Sequence, residues 1–270
     1  MIIDAHTHVF PEKIAERSIS VLEKLGKQKA VIGGTVNDLL CSMEKNGVDY
    51  SVVVPVLTKP EQFESINRFA GEIGKLPGII PFGAIHPLCE NIDKLLDYIV
   101  EKGFKGVKLH PDYQETDITD DGYIKILEGC RKRGLIAIIH AGIDPAYTEH
   151  VHCPPELSSA VVKELTTDKT KPFIVLAHMG GIGQIEKAER FLVGLPVFFD
   201  TSFVLDETDS TRTRELILRH GCEKVLFATD SPWRDAKQYI ELIKQMSLGD
   251  EATDAILGKN CARLLNIQNI

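Results

Sequence analysis

The chain opens Met1-Ile2-Ile3-Asp4-Ala5-His6-Thr7-His8-Val9-Phe10, an apolar stretch that ends on two histidines one residue apart. Residues 6 and 8 of an extended segment share one face, because strand side chains alternate with period two. Both imidazoles therefore point the same way at the end of the first strand.

Seven more apolar runs rich in β-branched residues follow: "YSVVVPV" at 50–56, "GIIPFGAI" at 78–85, "FKGVKL" at 104–109, "LIAIIH" at 135–140, "PFIVLAH" at 172–178, "PVFFD" at 196–200 and "KVLFATD" at 224–230. These runs are short and show little alternation, as parallel strands covered on both faces do. Segments of helical spacing lie between them. "NDLLCSMEKNG" follows Thr35, a plausible N-cap, puts Leu39, Leu40 and Met43 on one face and stops at Gly47. "NIDKLLDYIVEKG", "GYIKILEGCRKRG" and "TRTRELILRHG" repeat the plan, with stops at Gly103, Gly134 and Gly221.

Eight strands alternating with helices predict an α/β fold, a (β/α)8 TIM barrel formed as one domain by residues 1–270. An open doubly wound sheet is the competing architecture. It lacks its usual dinucleotide signature, since no strand leads into Gly-x-Gly-x-x-Gly and "GGIGQ" at 180–184 has the wrong spacing. The segment from Phe10 to Gly34 is long for a strand-to-helix connection. Its amphipathic "KIAERSISVLEKLG" reads either as a lid over the barrel mouth or as a homodimer contact.

Composition narrows the function. The 270 residues are 43% hydrophobic and 26% charged, with a net charge of -8, which argues against a nucleic-acid partner and leaves a small-molecule substrate. Six scattered cysteines suggest neither a zinc knuckle nor a disulfide framework. Free thiols, no secretory leader and no long uncharged apolar run predict a soluble cytoplasmic protein without a membrane partner.

In such a barrel the active site lies where the strands end. Those ends carry His6 and His8, His86, Lys108 and His110, His140, His178 and Asp230. Imidazoles from several strands plus a carboxylate suit a divalent ion, zinc first and manganese second, with a position left open for water or substrate. If Val107 and Leu109 face the surrounding helices, Lys108 and His110 face inward. Lys108 could then pair with Asp230, bind a substrate carboxylate, or be carboxylated and bridge two metals. His86 reads equally as a rim contact or as packing. Phe10, Tyr113, Gln114, Asp144 and Trp233 follow strand ends closely enough to touch substrate or to pack at the rim. The loop "EHVHC" at 149–153 reads as substrate contacts rather than as a separate metal cluster.

The ordered set "IDAHTHVFP", "GVKLHPDYQ", "IIHAG", "VLAHMGG" and "FATDSPW", running from residue 2 to 233, resembles the amidohydrolase superfamily. The closer likeness is to its amidohydrolase-related branch, which includes aminocarboxymuconate-semialdehyde decarboxylase and γ-resorcylate decarboxylase. The resemblance implies that His6, His8, His140 and Asp230 hold the metal. It also implies that His178 acts as an acid/base group or ligates a second ion. Strand four departs from binuclear relatives, offering Lys108 and His110 where they place a glutamate or a carboxylated lysine.

The first functional expectation is a metal-dependent hydrolase of a small ester, amide or lactone. In it Asp230 accepts a proton from water and His178 stabilises the oxyanion. The alternative is a lyase, either a non-oxidative decarboxylase or a hydratase acting on an unsaturated or aromatic carboxylic acid.

Overall fold

Every side chain of β1 (Ile3–Thr7) is buried, because this strand is covered on both of its faces. The computed structural model describes residues 1–147, 149–166 and 171–267. β1 leads into α1 (Glu12–Gly26) and α2 (Val36–Asn46), followed by β2 (Tyr50–Val53), α3 (Phe63–Ile73), β3 (Ile79–Pro81) and β4 (Gly83–Ala84). Next come α4 (Ile92–Glu101), β5 (Gly106–Leu109), α5 (Asp121–Arg133), β6 (Ile136–Ile139), α6 (Pro155–Leu165), β7 (Ile174–Leu176) and α7 (Ile185–Phe191). The chain finishes with β8 (Phe198–Asp200), α8 (Ser210–His220), β9 (Val225–Leu226), α9 (Ala236–Gln245), α10 (Asp250–Asp254) and α11 (Asn260–Leu264).

All strand pairs are parallel, in the orders β1-β2-β3 and β4 through β9. β3 and β4 are successive pieces of one stave, the run "GIIPFGAI". The stave changes partner at Phe82, whose N–H donates to Val53 O at 3.0 Å before Gly83 aligns with Val107. Pro81 has no N–H to continue the ladder. At the opposite seam Ala5 N donates to Phe227 O and Asp230 N to His6 O, both at 2.9 Å, and Thr7 forms a parallel bridge with Ser231. These contacts set β9 beside β1, and the (β/α)8 barrel is built as the alternation predicts.

The seam carries a buried carboxylate. Asp4 accepts from Thr229 N at 3.0 Å, Thr229 Oγ1 at 2.5 Å and His6 N at 3.2 Å, which ties the first strand to the segment after the last.

The helix boundaries follow local chemistry. Thr35 caps α2 through a reciprocal pair, its hydroxyl accepting from Asp38 N while Asp38 accepts from Thr35 N. Gly47 ends that helix in the left-handed region, where a residue without Cβ fits at no steric cost. Leu39 and Met43 are buried and Leu40 is half-buried. On α4, Leu96 and Ile99 enter the core while Val100 is exposed, so the apolar stripe is narrower than the residue types suggest.

No helix among the described residues is long and apolar enough to cross a membrane. The segment after β1 settles as α1 and a return loop that docks through Phe10 N to Gly34 O at 2.8 Å and Val31 N to Pro232 O at 2.7 Å. α1 turns Ile14, Ser18, Leu22 and Gly26, spaced by four, into the wall of the barrel-mouth cavity. α1 thus stands at the barrel mouth, where the lid reading would put it.

A candidate metal centre at the barrel mouth

His6 and His8 project from the end of β1 as period two requires, with their Nε2 atoms 3.2 Å apart. Asp230 stands opposite, Oδ1 lying 2.9 Å from His8 Nε2 and 3.6 Å from His6 Nε2. These three side chains bring their donor atoms within 4.8 Å of one another. Asp230 Oδ1 is buried and makes no well-formed hydrogen bond, although His8 Nε2 lies 2.9 Å away. A carboxylate oxygen in that condition is suited to a cation.

The orientation of His6 comes from the end of β8. Asp200 Oδ2 accepts from His6 Nδ1 at 2.8 Å, which fixes the proton there and leaves the Nε2 lone pair facing His8, Asp230 and Lys108. A carboxylate behind a ligand imidazole is the usual way a metal-binding tautomer is held. The other oxygen of Asp200 accepts from the backbone N–H of His178 at 2.9 Å, from Ser202 N at 3.1 Å and from the Ser202 hydroxyl. One buried aspartate therefore positions two histidines. Burial raises its proton affinity, but His6, His178 and Ser202 outweigh that effect and hold the carboxyl below the ordinary range.

His178 hydrogen-bonds at Nδ1 with Ser202 O at 3.1 Å and with Ser202 Oγ at 2.8 Å. Its Nε2 faces His140 Nδ1 at 3.0 Å. His140 in turn stacks on His110, ring centroids 4.1 Å apart, and directs Nε2 toward Asp112 Oδ2 at 3.6 Å. Those last two atoms are buried without hydrogen bonds. His110, His140 and Asp144 form a second group of donors within 4.8 Å. The four expected ligands thus divide: His6, His8 and Asp230 converge, while His140 stands beside them through His178.

Several buried nitrogens face one another with few protons to share, and burial holds the imidazoles neutral. His6 is pushed down to about 4 by desolvation and then by Lys108, and His110 and His140 also fall well below the ordinary histidine value. His178 is lowered for the same first reason. Asp230 remains ionised, because His6 and His8 outweigh its burial. Neutral imidazole and ionised carboxylate are the forms that bind a divalent ion, and the donor set fits one.

Lys108 and His110 face inward, as the alternation along β5 predicts. Lys108 Nζ lies 2.9 Å from His6 Nε2, and burial lowers the ammonium to about 8, partly offset by Asp230, Asp200 and Asp144. Lys108 is the only lysine or arginine among the described residues lining the cavity, whose volume is about 660 Å³.

Phe10, Tyr113, Asp144 and Trp233 line the same cavity. His86 does not: it is buried below the rim, where Nδ1 accepts from Leu88 N at 3.2 Å. Gln114 is likewise internal, donating to Leu57 O at 2.9 Å and Ile85 O at 2.8 Å. In the loop 149–153, His150 pairs with Asp117 at 2.7 Å and His152 Nδ1 with Asp112 Oδ1 at 2.9 Å. Asp117, His150 and His152 bring donors within 4.8 Å, but at the protein surface.

Asp200, Asp4, Asp112 and Ser202 are the residues that reading the strand ends for ligands missed. Asp200 had a signal, for it closes the run "PVFFD" just as Asp230 closes "KVLFATD".

Three cavity-lining residues other than glycine, His178, Phe203 and Asp230, have left-handed backbone. His178 and Asp230 have φ of 57° and 58°, a region that costs a residue with a Cβ about 1–3 kcal/mol and recurs at functional sites. Asp230 is held there by its N–H to His6 O and its carbonyl to Trp233 N.

Comparison with known proteins places this geometry. The sequence model of a family described as amidohydrolase matches residues 3–267. No curated protein matches the sequence. Among solved structures, the chain resembles 5-carboxyvanillate decarboxylase from Sphingomonas paucimobilis, with TM-score 0.68, 15% identity and 98% of each chain covered. It also resembles a dihydroxybenzoic acid decarboxylase from Polaromonas sp. JS666 with bound manganese and the inhibitor 2-nitroresorcinol, with TM-score 0.73, 15% identity and coverage of 100% of this chain and 98% of that one. A third is a "probable 2-pyrone-4,6-dicarboxylic acid hydrolase" from Acinetobacter baumannii with citric acid bound, with TM-score 0.65, 15% identity and coverage of 98% and 99%. Identities this low speak to the fold. The family match, which spans nearly the whole barrel and includes both His-x-His and Asp230, establishes that this chain belongs to the amidohydrolase family.

Proposed function

We propose that this protein is a metal-dependent, non-oxidative decarboxylase of a small aromatic or unsaturated carboxylic acid. The observation that carries the reading is Lys108, a buried cation at the metal-donor group that touches His6 Nε2 rather than a carboxylate. Its charge is available to a substrate anion. The decarboxylases among the structural neighbours support the same choice over the hydrolase reading.

His6, His8 and Asp230 would hold the ion, with His140 beside them. The bound metal would supply a Lewis acid that binds the substrate's carboxylate and a neighbouring oxygen. Lys108 orients the acid group from β5, and Asp144, in the loop after β6, can accept a hydrogen bond from a substrate hydroxyl. Decarboxylation breaks the bond from carbon to carboxylate, releases carbon dioxide and leaves the electron pair on carbon, which must receive one proton. Because burial otherwise keeps its ring neutral, His178 would take this proton from solvent at Nε2 and pass it to that carbon. The imidazolium that carries this proton is stabilised through Ser202 Oγ, which accepts from Nδ1 and donates to the Asp200 carboxylate. Asp230 is poorly suited to the donor role because its neighbours keep it ionised.

That ionised Asp230 also favours a second reading, a hydrolase in which it accepts a proton from water, in line with the hydrolase neighbour. Turnover of an ortho-hydroxybenzoic acid in D2O separates the two. Decarboxylation predicts a phenol with one deuterium at the carbon that bore the carboxylate. Hydrolysis of a lactone in H2¹⁸O, with no such deuterated product from any acid, would replace this reading with the second.

A further inference from the structure

The cavity of about 660 Å³ is of the size that holds drug-sized ligands, and its two ends differ in chemistry. One end carries the strand-end histidines, Lys108 and Asp230. The other is walled by α1 and α3, which contribute Ile14, Leu22, Ile66 and Phe69 beside the uncharged polar Ser18 and Ser65, with Val56, Thr58 and Gln62 between β2 and α3. Ile14 is 48% exposed, so this wall is open to solvent when no ligand covers it.

Both helices are rich in charge, yet none of it enters the cavity. α1 contains Glu12, Lys13, Glu16, Arg17, Glu23 and Lys24, and α3 contains Glu64, Arg68 and Glu72. Among the described lining residues, those from residues 9–28 and 55–69 are all uncharged. A helix face turned toward a water-filled space needs no aliphatic or aromatic side chains, whereas one that covers a ligand does.

We infer that the substrate is a monoanionic acid bearing an apolar substituent that extends from the acid group to the α1 and α3 wall, and that Ile14, Leu22 and Phe69 set its specificity. The single anion matches the α1 and α3 wall, which offers no lysine or arginine to a second one among the described lining residues. The inference rests on the decarboxylase reading for the acid group; the apolar extension rests on the wall itself.

The test is isothermal titration of the zinc-loaded full-length protein with n-alkyl hydroxamic acids, from acetohydroxamic to octanohydroxamic acid, whose heads bind metal without reacting. Affinity is expected to rise about fourfold per methylene over the first several carbons and then level off. The monohydroxamate of octanedioic acid, with a charge at its far end, should lose most of that gain. In the Ile14→Ser/Leu22→Ser double variant and in Phe69→Ala, the chain-length dependence should flatten while acetohydroxamic acid binds as before. Equal affinity across the series, unchanged slopes in the variants, or no binding by any member would overturn the inference. Carbon dioxide release from aryl acids is read separately. Release without chain-length dependence sinks the substrate class and spares the reaction, and chain-length dependence without release does the reverse.

Discussion

The Asp200 carboxylate lies 2.8 Å from Nδ1 of His6 and, through its other oxygen, 2.9 Å from the backbone N–H of His178. A single side chain at the end of β8 therefore decides which nitrogen of His6 is free and where His178 stands. Asp200→Asn keeps the shape but removes the charge behind the imidazole. Affinity for zinc should fall by about 10- to 100-fold, the range found when such partners are lost. Competition with a chromogenic chelator measures this, and unchanged affinity would show that His6 is oriented by something else.

His178→Asn separates metal binding from turnover. Because His6, His8 and Asp230 do not depend on its ring, metal content per chain should match the wild type. Turnover should drop by about 10²- to 10⁴-fold, the usual contribution of a positioned proton donor. Loss of metal together with activity would reassign His178 as a ligand.

Asp4 links β1 to the far end of the chain through Thr229. Asp4→Ala leaves Thr229 N, Thr229 Oγ1 and His6 N without their acceptor inside the protein. Three neutral donors are left unpaired at a site where burial pushes the Asp4 carboxyl up to about 7, so the loss should be roughly 3 kcal/mol. Urea unfolding at pH 7 reads it directly.

His220 gives the fold a pH dependence remote from the metal centre. It is buried, stacks on Phe199 at 3.9 Å, directs Nε2 to Val197 O at 2.9 Å and accepts from Gly194 N at 3.2 Å, so it is held neutral. Desolvation first, then Lys224, lowers it from 6.5 to about 4. Between those values the unfolded chain takes up a proton that the folded chain refuses, so stability falls as pH drops from about 6.5 toward 4. The full contribution is about 3 kcal/mol. His220→Gln should lessen the wild-type difference between urea midpoints at pH 7 and pH 4.5, leaving the share of the buried His6, His110, His140 and His178; an equally steep variant would show that His220 contributes none of it.

Much of this site is legible in the sequence because barrel strands are short and buried and end at one face, so that His6, His8, Lys108, His110, His140, His178 and Asp230 need only period two to be brought to the cavity. Phe10, Tyr113, Asp144 and Trp233 follow for the same reason. Other features depend on contacts between distant segments. Asp200 supports His6 across 194 residues and Asp4 meets Thr229 across 225, relations that no local pattern encodes. His86 looks like a rim residue by position, but it folds back onto its own turn at Leu88. The break of one stave into β3 and β4 at Phe82 is likewise a matter of partner exchange, with Pro81 as its only local sign.

The most direct measurement of the central claim is carbon dioxide released by the zinc- or manganese-loaded protein across a panel of ortho-hydroxylated aryl acids and α,β-unsaturated acids, with lactones and amides run in parallel. The account predicts one equivalent of carbon dioxide per phenol or alkene formed, abolished by chelator and reduced by Lys108→Met mainly through a raised KM. Hydrolysis of a lactone or amide with no carbon dioxide from any acid would contradict it.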